Sequence, residues 1–305
     1  MPIALLTTLL FALTAIFATQ AAVAIGPVRA NMWRLVTAAL ILGVWAHSFG
    51  QGLGGGQAGL LFLAGIIGFG AGGWCMFQAF PRIGSTLSLL SVECSAALIT
   101  LLMGWLFLGA AVTPWQIVLA LIIIMGIVFA LFPFRLPDVP SRTLVAGVAF
   151  ASTAAVGQSI SWTLTKHAFT QVKLNGLILH PLTAAYQRML GGVCLALVVF
   201  VVATLILKKE RDKPAIVPGE LVANVPAPVW VIANALAGPV LGVSCMLWAI
   251  REVNNPGLVQ AVVATATLFT VPLVRHFERK IFSWNYFAGA LAALGAMAAL
   301  VFVAG

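Results

Sequence analysis

The chain is a succession of apolar runs, each long enough to cross a bilayer and separated by short polar joints. A helix needs about 20 mostly apolar residues to span the hydrocarbon core. Ten runs meet that need, at 3–24, 30–48, 57–79, 84–108, 115–133, 143–166, 181–206, 227–250, 256–275 and 285–304. Of the 305 residues 62% are hydrophobic and 8% charged. A soluble domain carries about 25% charged residues and would lack the polar side chains to cover its surface here. A bilayer removes that requirement, so the fold class expected is an all-α polytopic membrane protein. The mean hydropathy of +1.10 agrees. The first run lacks a basic leading segment and is read as a helix, not a cleaved signal.

An internal repeat organises the ten runs. Phe11-Ala12-Leu13-Thr14-Ala15 in run 1 is answered by Phe150-Ala151-Ser152-Thr153-Ala154 in run 6, and Trp33-Arg34-Leu35 in run 2 by Gln187-Arg188-Met189 in run 7. Cys75-Met76-Phe77-Gln78-Ala79 in run 3 is answered by Cys245-Met246-Leu247-Trp248-Ala249 in run 8. Run 5 opens with Trp115-Gln116 and reaches Gly126; run 10 opens with Trp284-Asn285 and reaches Gly295 at the same spacing. Each half holds an odd number of helices, so the second half enters the membrane from the opposite side. The expected architecture is two inverted five-helix repeats, residues 1–134 and 143–305, joined by a proline-rich linker at 135–142. Inverted repeats are typical of secondary transporters, which rock around a midplane site. The glycine-rich stretch at 50–57 reads as a flexible turn.

These residues resemble the drug/metabolite transporter superfamily, in particular its EamA-type ten-helix exporters. The stretch SVECSAALITLLMGWLFLG in run 4 looks like that family's fourth helix, and ATLFTVPLVRHFERKIFSW looks like its ninth, including Glu278-Arg279. The chain departs from the family at Gly109-Ala110, where a Gly-Glu step is usual. The resemblance implies a central cavity lined by helices 1, 3, 4, 6, 8 and 9, with helices 5 and 10 peripheral. It also implies a bacterial inner membrane location and cytoplasmic termini.

Ionisable and hydrogen-bonding residues inside the runs are the candidate site, because such groups in hydrocarbon face a partner or a water-filled path. Glu93 leads them, either coupling transport to a proton, binding a cationic substrate group, or pairing structurally. Arg34 and Arg188 occupy matching places near helix starts. They serve gating, hold a substrate carboxylate, or snorkel to the interface. Trp74 and Gln78, Gln158 and Trp162, and Ser244 and Trp248 each share a helix face at a four-residue step. Thr19 and Gln20 in run 1 and Gln260 and Thr265 in run 9 complete the set expected to bind substrate. Interhelical bonding or an interfacial aromatic belt is the plain alternative for each.

The net charge of +9 is spread over loops, which argues against nucleic acid. Loops after odd-numbered runs carry eleven Lys and Arg, while the other side holds Lys166, Lys173 and Arg251. The positive-inside rule therefore puts both termini outside, against the family's usual orientation. Cys75, Cys94, Cys194 and Cys245 form no CxxC pair and read as small packing residues. No cofactor, metal site or catalytic set is signalled. The partners expected are the bilayer, a small-molecule substrate, and a coupling proton or counter-substrate, for a monomer or weak homodimer. The function expected is secondary active export of a small amphipathic metabolite such as an amino acid. An uptake carrier or exchanger of nucleotide-, sugar- or cofactor-like metabolites is the alternative. A membrane enzyme or channel is remote, since neither a catalytic cluster nor a continuous polar pore lining is visible.

Overall fold

The computed structural model describes residues 2–132, 139–206, 225–278 and 284–304, the side chains of 2, 205, 206, 274–278 and 304 excepted. Among these residues every regular element is helical. The elements are α1 (Pro2–Ile25), α2 (Pro27–Ser48), α3 (Ala58–Gly65), α4 (Gly73–Leu108), α5 (Pro114–Leu131), α6 (Ser141–Leu174) and α7 (Pro181–Val201). They continue with α8 (Ala227–Ala235), α9 (Val243–Glu252), α10 (Pro256–Ala264), α11 (Ala266–Glu278) and α12 (Trp284–Ala304). Two π-helical segments, Ile66–Gly72 and Leu236–Gly242, connect α3 to α4 and α8 to α9 without leaving the helix axis. Residues 135–138 of the linker, the long joint after α7 and Arg279 lie outside the described residues, as does the Glu278 side chain.

Among the described residues eight helical runs are long and apolar enough to cross a membrane. One of them, Ala58–Leu108, has 51 residues. At 1.5 Å per residue a straight helix of that size is roughly 75 Å long, against a hydrocarbon core of about 30 Å. It breaks at Gly84, with φ 77° and ψ 168°, a conformation that a Cβ forbids in practice. Pro81 lies just before the break. α2 carries Asn31 and Arg34 and falls outside the eight.

The outer surface is that of a membrane protein. Phe302 is 86% exposed and Trp284 81%, while Glu93 and Arg188 are each 1% exposed. Water would reverse that ordering; lipid permits it. Helix starts are set by local chemistry. Proline follows Gly26, Thr113, His180 and Asn255 in the first helical position, where no amide donor is lost. Thr113 and Gln116 form a reciprocal cap on α5. Asn255 accepts from the Gly257 amide at 2.9 Å and donates to the carbonyls of Leu101 and Ala110 at 3.2 Å, which ties the start of α10 to the end of α4.

Small residues let backbones meet. A Cβ on Gly126 of α5 would lie 2.9 Å from the Ala293 amide and the Gly289 carbonyl of α12. Gly295 meets nothing within 4 Å, so the contact glycine of α12 is Gly289 and not the residue matched by spacing. α2 lies against α7, with Gly43 facing the Tyr186 ring.

Two expectations need correction. The 50–57 stretch is docked, not free: Gln187 of α7 donates to the carbonyls of Gly52 and Gly54 at 3.0 and 2.8 Å, and the His180 amide donates to Gln51 at 3.2 Å. Cys194 is exposed, so it is not a packing residue.

Candidate substrate cavity

Glu93 lies on α4, beyond the Gly84 break, where hydrocarbon gives a carboxylate no solvation. Two amides replace the water. Gln158 Nε2 of α6 donates to Oε1 and Oε2 at 3.3 and 3.4 Å, and Gln260 Nε2 of α10 donates to Oε2 at 2.5 Å. α6 comes this close because the contact is made of small residues. Ala151, Ala154 and Ala155 meet Ala96 and Val92, and Ser159 Oγ donates to the Ala96 carbonyl at 3.2 Å. The Asn255 tie fixes the register of α10 and with it the height of Gln260.

The π segments supply the adjoining walls. The glycines of IIGFGAG and LAGPVLG keep parts of those walls to bare backbone, beside Phe69 and Pro239. A Cβ on Gly68 would overlap Ser161 of α6, and one on Gly238 would lie 2.9 Å from Thr14 of α1. Arg34 and Arg188 enter here. Both are buried, at 6% and 1% exposure, which corrects the reading of their side chains as snorkelling to the interface. Arg34 donates from Nε and Nη2 to Asn31 Oδ1 at 3.1 and 2.9 Å, with its guanidinium 4.6 Å above the Phe77 ring. Arg188 donates from Nη2 to Ser161 Oγ at 2.8 Å and stacks 4.1 Å from the Trp162 ring and 5.0 Å from Phe69. Aromatic faces and local acceptors take the place of interfacial water.

Together these groups line a cavity of about 70 Å³ that includes Arg34, Glu93, Gln158, Trp162 and Arg188. That is room for several waters at roughly 10–15 Å³ each, well under the ~300 Å³ of a small-molecule pocket. The cavity is too small for such a solute, so admitting one requires the helices to part.

The remaining expected residues lie apart from the cavity lining. Gln260 reaches it only through Glu93. Thr19 donates to the Ala15 carbonyl at 2.8 Å, and Gln20 is buried in α1. Trp74 meets Phe150 edge-on at 5.7 Å, and Gln78 accepts from Arg82 at 2.8 Å. Trp248 is 41% exposed beside the His180 ring. Thr265 bonds the Val262 carbonyl at 2.7 Å, at the junction of α10 and α11. Sequence reasoning missed Ser161, Phe69 and Thr14. Ser161 stands three residues after Gln158, a helical same-face spacing that would have found it. Phe69 carried no comparable signal.

A solved crystal structure is similar over 99% of this chain and 95% of that chain, with 18% identity and a TM-score of 0.70, a likeness that shows the fold. No curated protein matches the sequence. Residues 1–132 match the family model described as the EamA-like transporter family. The first part of the chain, residues 1–132, is thus similar to the EamA-like transporter family, and with eight helical runs among the described residues long and apolar enough to cross a membrane the chain has the make-up of a multi-pass membrane protein.

Proposed function

We propose that the protein is a secondary transporter of a small amphipathic metabolite of amino-acid size, working by alternating access to the cavity around Glu93. The observation that carries this reading is the clamp on Glu93. A carboxylate on α4 is held by amides on α6 and α10, beside two buried arginines. Any movement of α6 and α10 against α4 breaks those bonds and opens the cavity to one side. An exchangeable proton on Glu93 would couple that movement to a gradient, and the family resemblance favours export across the inner membrane.

The architecture proposed is ten crossings in two inverted repeats, residues 1–134 and 143–305. The eight long runs, α2 and the extra crossing made by the break at Gly84 support that number. The π segments at Ile66–Gly72 and Leu236–Gly242 each begin nine residues before their half's Cys-Met pair, which supports the repeat. Lys166, Lys173 and Arg251 share one end of the bundle, in keeping with termini outside by the Lys and Arg count.

The test is counterflow. Purified protein in liposomes preloaded with unlabelled amino acids should accumulate a labelled amino acid transiently and saturably. A flux that rises linearly with concentration and shows no counterflow would point to a channel and sink the carrier reading.

A further inference from the structure

The charges in the cavity do not balance. Among the described residues neither arginine is ion-paired. Arg34 is met by Asn31, Arg188 by Ser161, and Glu93 by two amides. A guanidinium stays protonated in proteins, so two cations face at most one carboxylate, and the cavity carries a net positive charge. A buried, unpaired charge is costly.

The unused hydrogen-bonding atoms around Arg188 share one character. Its Nε and Nη1 are buried with no acceptor, and so is the indole Nε1 of Trp162, whose ring lies 4.1 Å from the guanidinium. All three are donors. A group that offers only acceptors and one negative charge would satisfy the donors and cancel the excess. Lys166 stands one turn beyond Trp162 on the same face of α6. It lines a separate surface depression of about 810 Å³ with Lys173, Arg251 and Glu252, whose net positive charge favours anions at that end of α6.

We propose that the transported solute carries a carboxylate, and that Arg188 and Trp162 hold this carboxylate in the cavity. This rests on the transport reading above and narrows its substrate class. With Glu93 ionised the excess is a single charge, which matches a monoanionic carboxylate better than a phosphate monoester dianion.

The test uses the full-length protein in detergent and follows its melting temperature with matched acids and amides: propionate against propionamide, L-alanine against alaninamide, L-phenylalanine against phenylalaninamide, with inorganic phosphate alongside. A ligand stabilises the state it binds. At least one acid should raise the melting temperature saturably, while its amide needs about tenfold more for the same shift. Arg188→Gln should raise the midpoint for that acid about tenfold or more, and Arg188→Lys should recover part of it. Trp162→Phe keeps the ring under Arg188 and removes the N–H, and should raise the midpoint several-fold; it decides the matter if Arg188→Gln does not fold. The proposal is overturned if amides act as strongly as acids, if phosphate outdoes every acid, if both variants bind the acid like the parent, or if no acid acts below about 10 mM. Counterflow with the same compounds separates the two claims. Exchange of amides but not acids keeps the transporter and overturns the carboxylate site. Arg188-dependent binding of acids without exchange supports the site and counts against transport.

Discussion

Substituting Gly65 by alanine tests how the cavity is held. α3 lies backbone to backbone on α7 at this point, and a Cβ on Gly65 would fall on the carbonyl oxygen, carbonyl carbon and Cα of Arg188. All three are backbone atoms, so no side chain can swing aside. The reciprocal contact is as tight, because a Cβ on Gly191 would overlap the Phe62 carbonyl. Relief requires the helices to part by something on the order of 1 Å. Overpacking of this kind costs about 1–3 kcal/mol, and a backbone neighbour puts Gly65→Ala at the upper end. The control is Gly295→Ala in α12, where no atom lies within 4 Å and alanine gains up to about 1 kcal/mol of helix propensity. The two variants should therefore differ by about 2–4 kcal/mol. At roughly 2–4 °C per kcal/mol for a chain of this size, Gly65→Ala should melt roughly 4–16 °C below Gly295→Ala by intrinsic tryptophan fluorescence. Equal melting temperatures would refute the close approach of α3 and α7. The displaced carbonyl belongs to Arg188, so the same variant should also weaken any ligand that Arg188 holds.

Gly84→Ala should destabilise by about 1–3 kcal/mol, since alanine does not tolerate φ 77° with ψ 168°. An unchanged melting temperature would mean that Ala58–Leu108 is one continuous helix. His180, outside the membrane spans, caps α7 by accepting from the Leu182 amide at Nδ1. Burial and then the Arg251 charge hold it below the ordinary imidazole value of 6.5. The folded state thus binds fewer protons than the unfolded one, and stability is lost as pH falls below 6.5. His180→Asn keeps a capping acceptor without the titration and should flatten the melting profile between about pH 7.5 and 5. The same slope in both proteins would contradict that assignment.

The membrane class was legible because it rests on run length and composition, which a single chain displays fully. Glu93 was legible for the same reason, as an acid standing alone in an apolar run. Its partners Gln158 and Gln260 were named, but their convergence depends on how α6 and α10 cross α4, which no local pattern encodes. The arginines were named as candidates, but their burial was not legible, because position along a helix does not give depth in the membrane; aromatic faces and an internal cavity make that burial possible. Trp248 shows the opposite error, since the four-residue step that pairs it with Ser244 does not say which way the pair faces. The π segments were invisible as such. A change from α to π geometry leaves composition unchanged.

The account turns on Glu93 as the group that links cavity opening to a gradient. The most direct measurement is uptake of a counterflow substrate into proteoliposomes with and without an imposed proton gradient, for the parent protein and for Glu93→Gln. The variant keeps the shape and a hydrogen-bonding side chain but cannot exchange a proton. The parent should accumulate substrate against its concentration only with the gradient, and Glu93→Gln should still exchange substrate while losing that accumulation. Gradient-driven accumulation by Glu93→Gln equal to that of the parent would contradict the coupling role and leave Glu93 a structural tie between α4, α6 and α10.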